Sequence, residues 1–305
     1  MRPIFQWDVG RRRIELGKRT LVMGVLNVTP DSFSDAGQFH SAEDAVQQGL
    51  RLLAEGADLL DVGGESTRPG VRVGPNATVP AEEELLRVLP VIEGLKKAKA
   101  DILISVDTYK AAVARAAIDM GAEIVNDVSG LRWDPQMAAT LGQLGCGVVI
   151  MHTRGTPEDW RDLPLEPRIV QIVEQELHTA AQKATTSGVH HDRIVLDPGF
   201  GFGKRFENNY PLLAKLEDLH SVGFPLMVGL SRKSFLGQTA SIRIAGELGP
   251  KERLHPSLAA AVIAAMKGAH IVRTHDVRPT VEALAIADAV LGNETDVNPW
   301  FDAYS

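Results

Sequence analysis

One pattern repeats along this 305-residue chain and restricts its fold more than any other feature. A helix-like stretch runs into a glycine, a short apolar run follows, and a polar residue closes it. The copies read EGADLLDVGG from Glu55, MGAEIVNDVSG from Met120, LGCGVVIMHT from Leu144 and KGAHIVRTHD from Lys267. SGVHHDRIVLDPG from Ser187 and SVGFPLMVGLSRK from Ser221 are looser copies, while LVMGVLNVTP from Leu21 and DILISVDTYK from Asp101 lack only the leading glycine. Glycine ends helices because it adopts the left-handed conformation with no Cβ penalty. The apolar runs, such as 102–106, show no regular in/out alternation, which fits strands buried on both faces in a parallel sheet.

Eight such runs lie near Val22, Leu60, Ile104, Ile124, Val149, Val195, Met227 and Ile271. Helical pattern separates them. Over 41–55 apolar residues recur at Ala42, Ala45, Val46, Leu50 and Leu53, with Ser41 and Asp44 resembling a capping box. Further helices are expected over 111–120, 168–183 and 279–291, where Pro279 suits a first turn. Eight βα units in about 250 residues predict an α/β fold, the (β/α)8 TIM barrel. An open doubly wound sheet is the alternative. The alternation in Arg13-Ile14-Glu15-Leu16 predicts a short N-terminal β-hairpin extension that covers the barrel floor. The expected division is an extension over 1–20, a single barrel domain over 21–292 and a C-terminal tail over 293–305.

Composition narrows the function classes. With 44% hydrophobic and 23% charged residues, a packed core is expected rather than disorder. A net charge of -7 argues against a nucleic-acid partner. The single Cys146 excludes an intrachain disulfide and a cysteine zinc site. Residues 1–21 are polar and broken by charges, unlike a signal peptide, and the apolar run at 259–266 is too short to span a bilayer. The expectation is a cytoplasmic protein without membrane contact.

The polar strand ends are Asn27, Asp61, Asp107, Asn126, His152, Asp197, Ser231 with Lys233, and Arg273 with His275. In a (β/α)8 barrel these meet at one face, where active sites sit. One polar strand end is usually a cap or turn former; eight in register suggest a site. Asp107 and Asp197 show no obvious local partner, Asn126 adds an amide, and Arg68, Lys233, Arg273 and His275 add cations. Cations suit phosphate or carboxylate, and carboxylates and amides suit an edge of N–H donors. The simplest ligand is a nitrogen heterocycle carrying an anion. Two loops, 28–40 and 63–80, are long enough to act as lids. The alternate glycines from Asp197 to Lys204 would let backbone approach a ligand. They form no P-loop, because Pro198 stands at the first glycine position and Arg205 replaces Ser/Thr.

These motifs together resemble the dihydropteroate synthase family of folate biosynthesis. The matches are GVLNVTPDSFSD (24–35), GGESTRPG (63–70), SVDTYK (105–110), IVNDVSG (124–130), MHTRGTP (151–157), LDPGFGFGK (196–204), GLSRKSFLG (229–237) and VRTHDV (272–277). The resemblance implies that p-aminobenzoate displaces diphosphate from 6-hydroxymethyl-7,8-dihydropterin diphosphate, giving 7,8-dihydropteroate by an SN1-like route with Mg2+. It implies a pterin site of Asp107, Asn126, Met151, Asp197, Phe200, Gly229 and Lys233. Met151 and Phe200 would line the ring slot or simply pack the core. It implies diphosphate binding by Asn27, Arg273 and His275, with Asn27 also reaching the metal; a plain ion pair with a neighbouring acid is the other reading of Arg273. It implies a p-aminobenzoate side of Phe33, Thr67, Arg68, Pro69, Phe202 and Ser234. Asp31, Asp35 and Lys233 are catalytic candidates, Asp31 and Asp35 as cation stabilisers or turn caps. Ala36 stands where glycine is expected in the first loop. The resemblance also suggests a homodimer. A silent pterin-binding paralogue, or another phosphate-ligand barrel enzyme using Lys233, are the competing readings.

Overall fold

The structure, a computed structural model, describes residues 2–29, 42–66, 70–74, 77–244 and 246–293. Two short alternating runs, β1 (Phe5–Asp8) and β2 (Arg13–Leu16), pair antiparallel as a hairpin. The eight apolar runs then form β3 (Leu21–Asn27), β4 (Leu59–Gly63), β5 (Ile104–Asp107), β6 (Ile124–Asp127), β7 (Gly147–Met151), β8 (Ile194–Asp197), β9 (Met227–Gly229) and β10 (Ile271–Thr274). All neighbours in this sheet pair parallel, in the order β8-β7-β6-β5-β4-β3-β10-β9. A parallel bridge from Leu196 to Leu226 brings the two edges together, so the sheet is a nearly closed barrel rather than an open doubly wound one.

Helices α1 (Ala42–Ala54), α2 (Ala81–Ala98), α3 (Ala111–Met120), α4 (Met137–Leu144), α5 (Ile169–Thr186), α6 (Phe206–Ala214), α7 (Ser234–Ile244), α8 (Leu254–Met266) and α9 (Val277–Asn293) lie between and after the strands. The helix-to-glycine grammar is visible at Gly121, which ends α3 at φ 117° with its N–H on Ala117 O. Pro279 falls in the first turn of α9, as expected. Ser41 lies outside the described residues. Among the described residues no helix is long and apolar enough to cross a membrane.

Strand residues i and i+2 share a face, so the barrel strands divide their apolar residues between two cores. One set, including Val22, Leu60, Ile104, Val125, Val148, Leu196, Val228 and Val272, packs under the helices. The other set fills the barrel interior with Leu21, Met23, Leu59, Leu103, Ile124, Val149, Val195, Met227 and Ile271. Trp7, Val9 and Leu16 of the hairpin belong to this inner cluster. The hairpin therefore closes the barrel floor, with Trp7 fully buried and its Nε1 donating to Arg193 O at 2.9 Å.

Candidate active site

The alternation that fills the interior also aims its polar side chains. Two positions beyond the inner apolar residues stand Asp61, Ser105, Asn126, Met151, Asp197, Gly229 and Arg273, and Asp107 follows Ser105 by two. They face the same interior, one layer nearer the C-terminal strand ends. Register sets Asp107 beside Asn126, Met151 beside Asp197 and Gly229 beside Arg273. Met151 belongs to neither apolar core. A Cβ on Gly229 would come no nearer than 4.0 Å to Arg273 Cβ, so the glycine leaves open space at this level.

Arg273 organises the layer. Its Nε donates to Asp61 Oδ2 at 2.6 Å and its Nη2 to Asp107 Oδ2 at 2.7 Å. Burial works against the guanidinium charge, but Asp61 and Asp107 more than offset it, and its pKa is held above the usual range. Asp107 thus has a partner that its local sequence does not reveal. Burial still pushes its carboxyl up to about 7, Arg273 pulling the other way and Asp61 adding like-charge repulsion. Asn126 donates from Nδ2 to Asp61 Oδ2 at 2.9 Å. Its Oδ1, together with Asp61 Oδ1 and Ser105 Oγ, is buried with no hydrogen-bond partner among the described residues. An unmet buried polar atom costs about 1–3 kcal/mol. The layer therefore presents acceptors that a donor-rich ligand would satisfy.

Asp197 is also buried, and its Oδ1 accepts the Gly199 N–H at 2.7 Å. Burial raises its pKa to about 6, with Gly199, Lys233, Lys204 and Arg273 holding it down. The glycines beyond it have a different use from the one their spacing suggests. Gly199 and Gly203 sit at φ 67° and 62°, and a Cβ would lie 1.9 Å from His152 O and 2.2 Å from Arg154 O. The close approach is to the main chain after β7, not to a ligand. Lys204 locks this packing from beneath, donating to Gly199 O at 2.7 Å and to His152 O and Phe202 O at 3.3 Å. Its burial drives its pKa well down.

Lys233, Phe202 and Ser234 come together on one side of the mouth. Lys233 Nζ lies 4.0 Å from the Phe202 ring centroid, a cation–π contact. Burial, then Arg273, lowers its pKa to about 8, while Asp197 and Asp107 favour the charge. Ser234 is exposed at the first turn of α7. His275 lies half-buried with Nδ1 3.1 Å from Ser231 Oγ, and burial plus Arg273 and Arg232 lower its pKa to about 3, so the ring is a neutral hydrogen-bonding group and not the cation its sequence position suggests. Asn27 ends β3 at the rim, half-buried.

Other expected residues lie elsewhere. Phe200 packs against Phe235 in the core beneath the helices, ring centroids 6.5 Å apart. His152 sits 3.2 Å from Glu176 of α5 and is a packing residue of the outer face. Asp31, Phe33, Asp35, Ala36, Thr67, Arg68 and Pro69 lie outside the described residues. A cavity of about 400 Å³ near Tyr109, Lys110 and Trp133 is lined by no residue of the polar layer. Asp61, the shared acceptor for Asn126 and Arg273, carries no role in the sequence reading. A lone carboxylate inside the otherwise apolar run Leu59–Gly63 was the available signal.

The model of the pterin binding enzyme family matches residues 23–275, from within β3 through β10 and across the whole polar layer. Dihydropteroate synthase of Escherichia coli K12 is 44% identical over 270 residues, 88% of this chain and 91% of that relative. The chain belongs to the dihydropteroate synthase family. Members of this family are enzymes that transfer a pterin group. The barrel agrees with solved members. Xanthomonas albilineans dihydropteroate synthase with 4-aminobenzoic acid superposes with a TM-score of 0.82 at 44% identity, covering 95% of this chain and 99% of that one. The same enzyme in complex with 7,8-dihydropteroate gives 0.80 at 41% identity, with the same coverage of both chains.

Proposed function

We propose that this member of the dihydropteroate synthase family joins 6-hydroxymethyl-7,8-dihydropterin diphosphate to p-aminobenzoate, releasing diphosphate and forming 7,8-dihydropteroate. The observation that carries the assignment of the site is the layer of buried acceptors at the barrel mouth. Asp197 accepts the two donors of the aminopyrimidine edge, and the unmet Asn126 Oδ1 accepts a further ring N–H. Asp107 lies beside them, and Met151 and the open space over Gly229 bound the ring. Lys233 contacts the pterin from the other side and bridges toward Phe202 and Ser234. Phe33, Thr67, Arg68 and Pro69, with Phe202 and Ser234, make up the p-aminobenzoate side. The N-terminal turn of α7, which starts at Ser234, favours the p-aminobenzoate carboxylate.

Arg273 and His275 take the diphosphate, with Asn27 at the rim. Among the described residues no group of three His, Cys, Asp or Glu could cage a metal. Mg2+ takes one or two protein oxygens and completes its shell with water and phosphate, so the hard oxygen of Asn27 fits a cation carried by the diphosphate. When bound, Mg2+ supplies charge neutralisation to the leaving group. The chain's own part is to hold the pterin flat, so that its ring delocalises the cation formed when diphosphate departs in an SN1-like step. Preorganised Arg273 and His275 then stabilise the charge growing on diphosphate. Asp31 and Asp35 are candidates for stabilising that cation.

The remaining assignments go with this reading. The catalytic unit is a single barrel domain over 21–292, with a 1–20 extension and a 293–305 tail. A cytoplasmic setting fits the single, buried Cys146 thiol, which burial holds up at about 12 and out of reactive range. A homodimer fits the exposed Ile263 and Met266 of α8 beside Ile286 and Val290 of α9. The site is tested by calorimetry on Asp197→Asn. Pterin binding weakens by about 1.5–3 kcal/mol, a charge-assisted hydrogen bond. An unchanged affinity means that Asp197 is not the pterin anchor.

A further inference from the structure

Arg232 lies at the barrel mouth, and none of the roles above uses it. It stands between Ser231, whose Oγ lies 3.1 Å from His275 Nδ1, and Lys233, whose Nζ lies over Phe202. Its φ is 59°, in the left-handed region that a residue with a side chain rarely adopts. Its side chain grips Asp276 in a fork. Nε donates to Oδ2 at 3.0 Å and Nη2 to Oδ1 at 2.6 Å. Asp276 directly follows His275. The main chain of Arg232 is held at the start of α8. Its N–H donates to Ser257 Oγ at 2.9 Å, and its carbonyl accepts Arg253 Nη1 at 3.1 Å.

An exposed ion pair alone carries little energy and would carry no role. This one is two-bonded, partly buried, and coupled to a strained backbone that its surroundings must hold in place. We propose that Arg232 and Asp276 form a positioning clamp. It ties the loop after β9 to the loop after β10, so that Lys233 and His275 converge on one substrate. Which parts of the substrate those two residues touch rests on the function proposed above. Neither clamp residue contacts substrate. Lysine would not replace Arg232, because a point charge holds one oxygen and lets the two loops turn about it.

Three variants separate the backbone from the fork. Arg232→Gly keeps the left-handed φ, which glycine adopts freely, and removes the guanidinium. Asp276→Asn keeps the shape and removes the charge, and Arg232→Lys keeps the charge without the fork. Each is compared with the wild-type full chain in turnover and in calorimetric binding of inorganic diphosphate, at a temperature where it is folded. Arg232→Gly and Asp276→Asn are expected to lose about tenfold to a hundredfold in both, the scale of a misplaced catalytic group, with Arg232→Lys between them and wild type. The double variant Arg232→Gly with Asp276→Asn does no worse than the worse single, because the two act as one unit. Should Arg232→Gly fail to fold, Asp276→Asn and Arg232→Lys carry the same comparison. Lower thermal stability with wild-type turnover and wild-type diphosphate affinity overturns the clamp, as do losses that multiply in the double variant. A wild-type chain that binds diphosphate without turnover counts against the proposed function, and the diphosphate affinities of the variants still decide the clamp.

Discussion

Asp197 lies 3% exposed with one carboxylate oxygen on the Gly199 N–H, and its pKa is raised to about 6, chiefly by burial. Between the ordinary carboxylate range and about pH 6, an unfolded chain is ionised at this position while the folded one keeps its proton. Rising pH therefore costs the empty protein stability, and donors from a ligand relieve that cost. Binding that needs the carboxylate is complete above about pH 6 and is lost as pH falls through it. The pterin dissociation constant is expected to rise about tenfold per unit below about pH 6, and to lose most of that dependence in Asp197→Asn. Titration calorimetry at a series of pH values reads this directly. A wild-type affinity flat across that range contradicts the role given to Asp197.

At the scale of elements, the N-terminal hairpin is a plug and not a part of the site. Trp7, Val9 and Leu16 share the inner core with the first residues of the barrel strands. Trp7→Ala is expected to destabilise the protein by about 3–5 kcal/mol, the range for emptying a buried aromatic site. Pterin affinity, measured where both proteins are folded, stays unchanged. A lowered affinity with unchanged melting would mean that the hairpin acts on the site. The hairpin was legible from the alternation around Ile14 and Leu16. Helices α2 and α6 were harder to read, because each carries a proline within it, Pro90 and Pro211, and proline weighs against a helix interior in any sequence pattern.

For the whole molecule, the repeat was the readable part. Apolar runs ending in polar residues specify strands buried on both faces, and parallel pairing of those strands brings their ends into one layer. The pairings inside the layer could not be read this way. Arg273 meets Asp61 across 212 positions and Asp107 across 166, contacts that exist only after the barrel closes. The same holds for Lys204, which looked like the end of a glycine loop and is its buried anchor. Closure also buries histidines far from the site. His270 Nδ1 accepts the Leu226 N–H at 3.0 Å and Nε2 donates to Pro3 O at 2.9 Å, so the ring is neutral, and burial lowers its pKa to about 3. An unfolded chain takes up that proton near pH 6.5 and the folded one does not until about pH 3. The contribution of His270 to folding stability is full above about 6.5 and is lost on going down to about 3, by a few kcal/mol. Melting temperature against pH should fall less steeply in His270→Gln than in wild type over that window; parallel curves would show that His270 contributes nothing to acid sensitivity.

On the function proposed here, the polar layer performs a condensation and does not merely hold a pterin. Diphosphate release from 6-hydroxymethyl-7,8-dihydropterin diphosphate with Mg2+ is the most direct measurement, made with and without p-aminobenzoate. Release is expected to depend on p-aminobenzoate and to match 7,8-dihydropteroate formed mole for mole. Pterin binding with no release, or release indifferent to p-aminobenzoate, would contradict it.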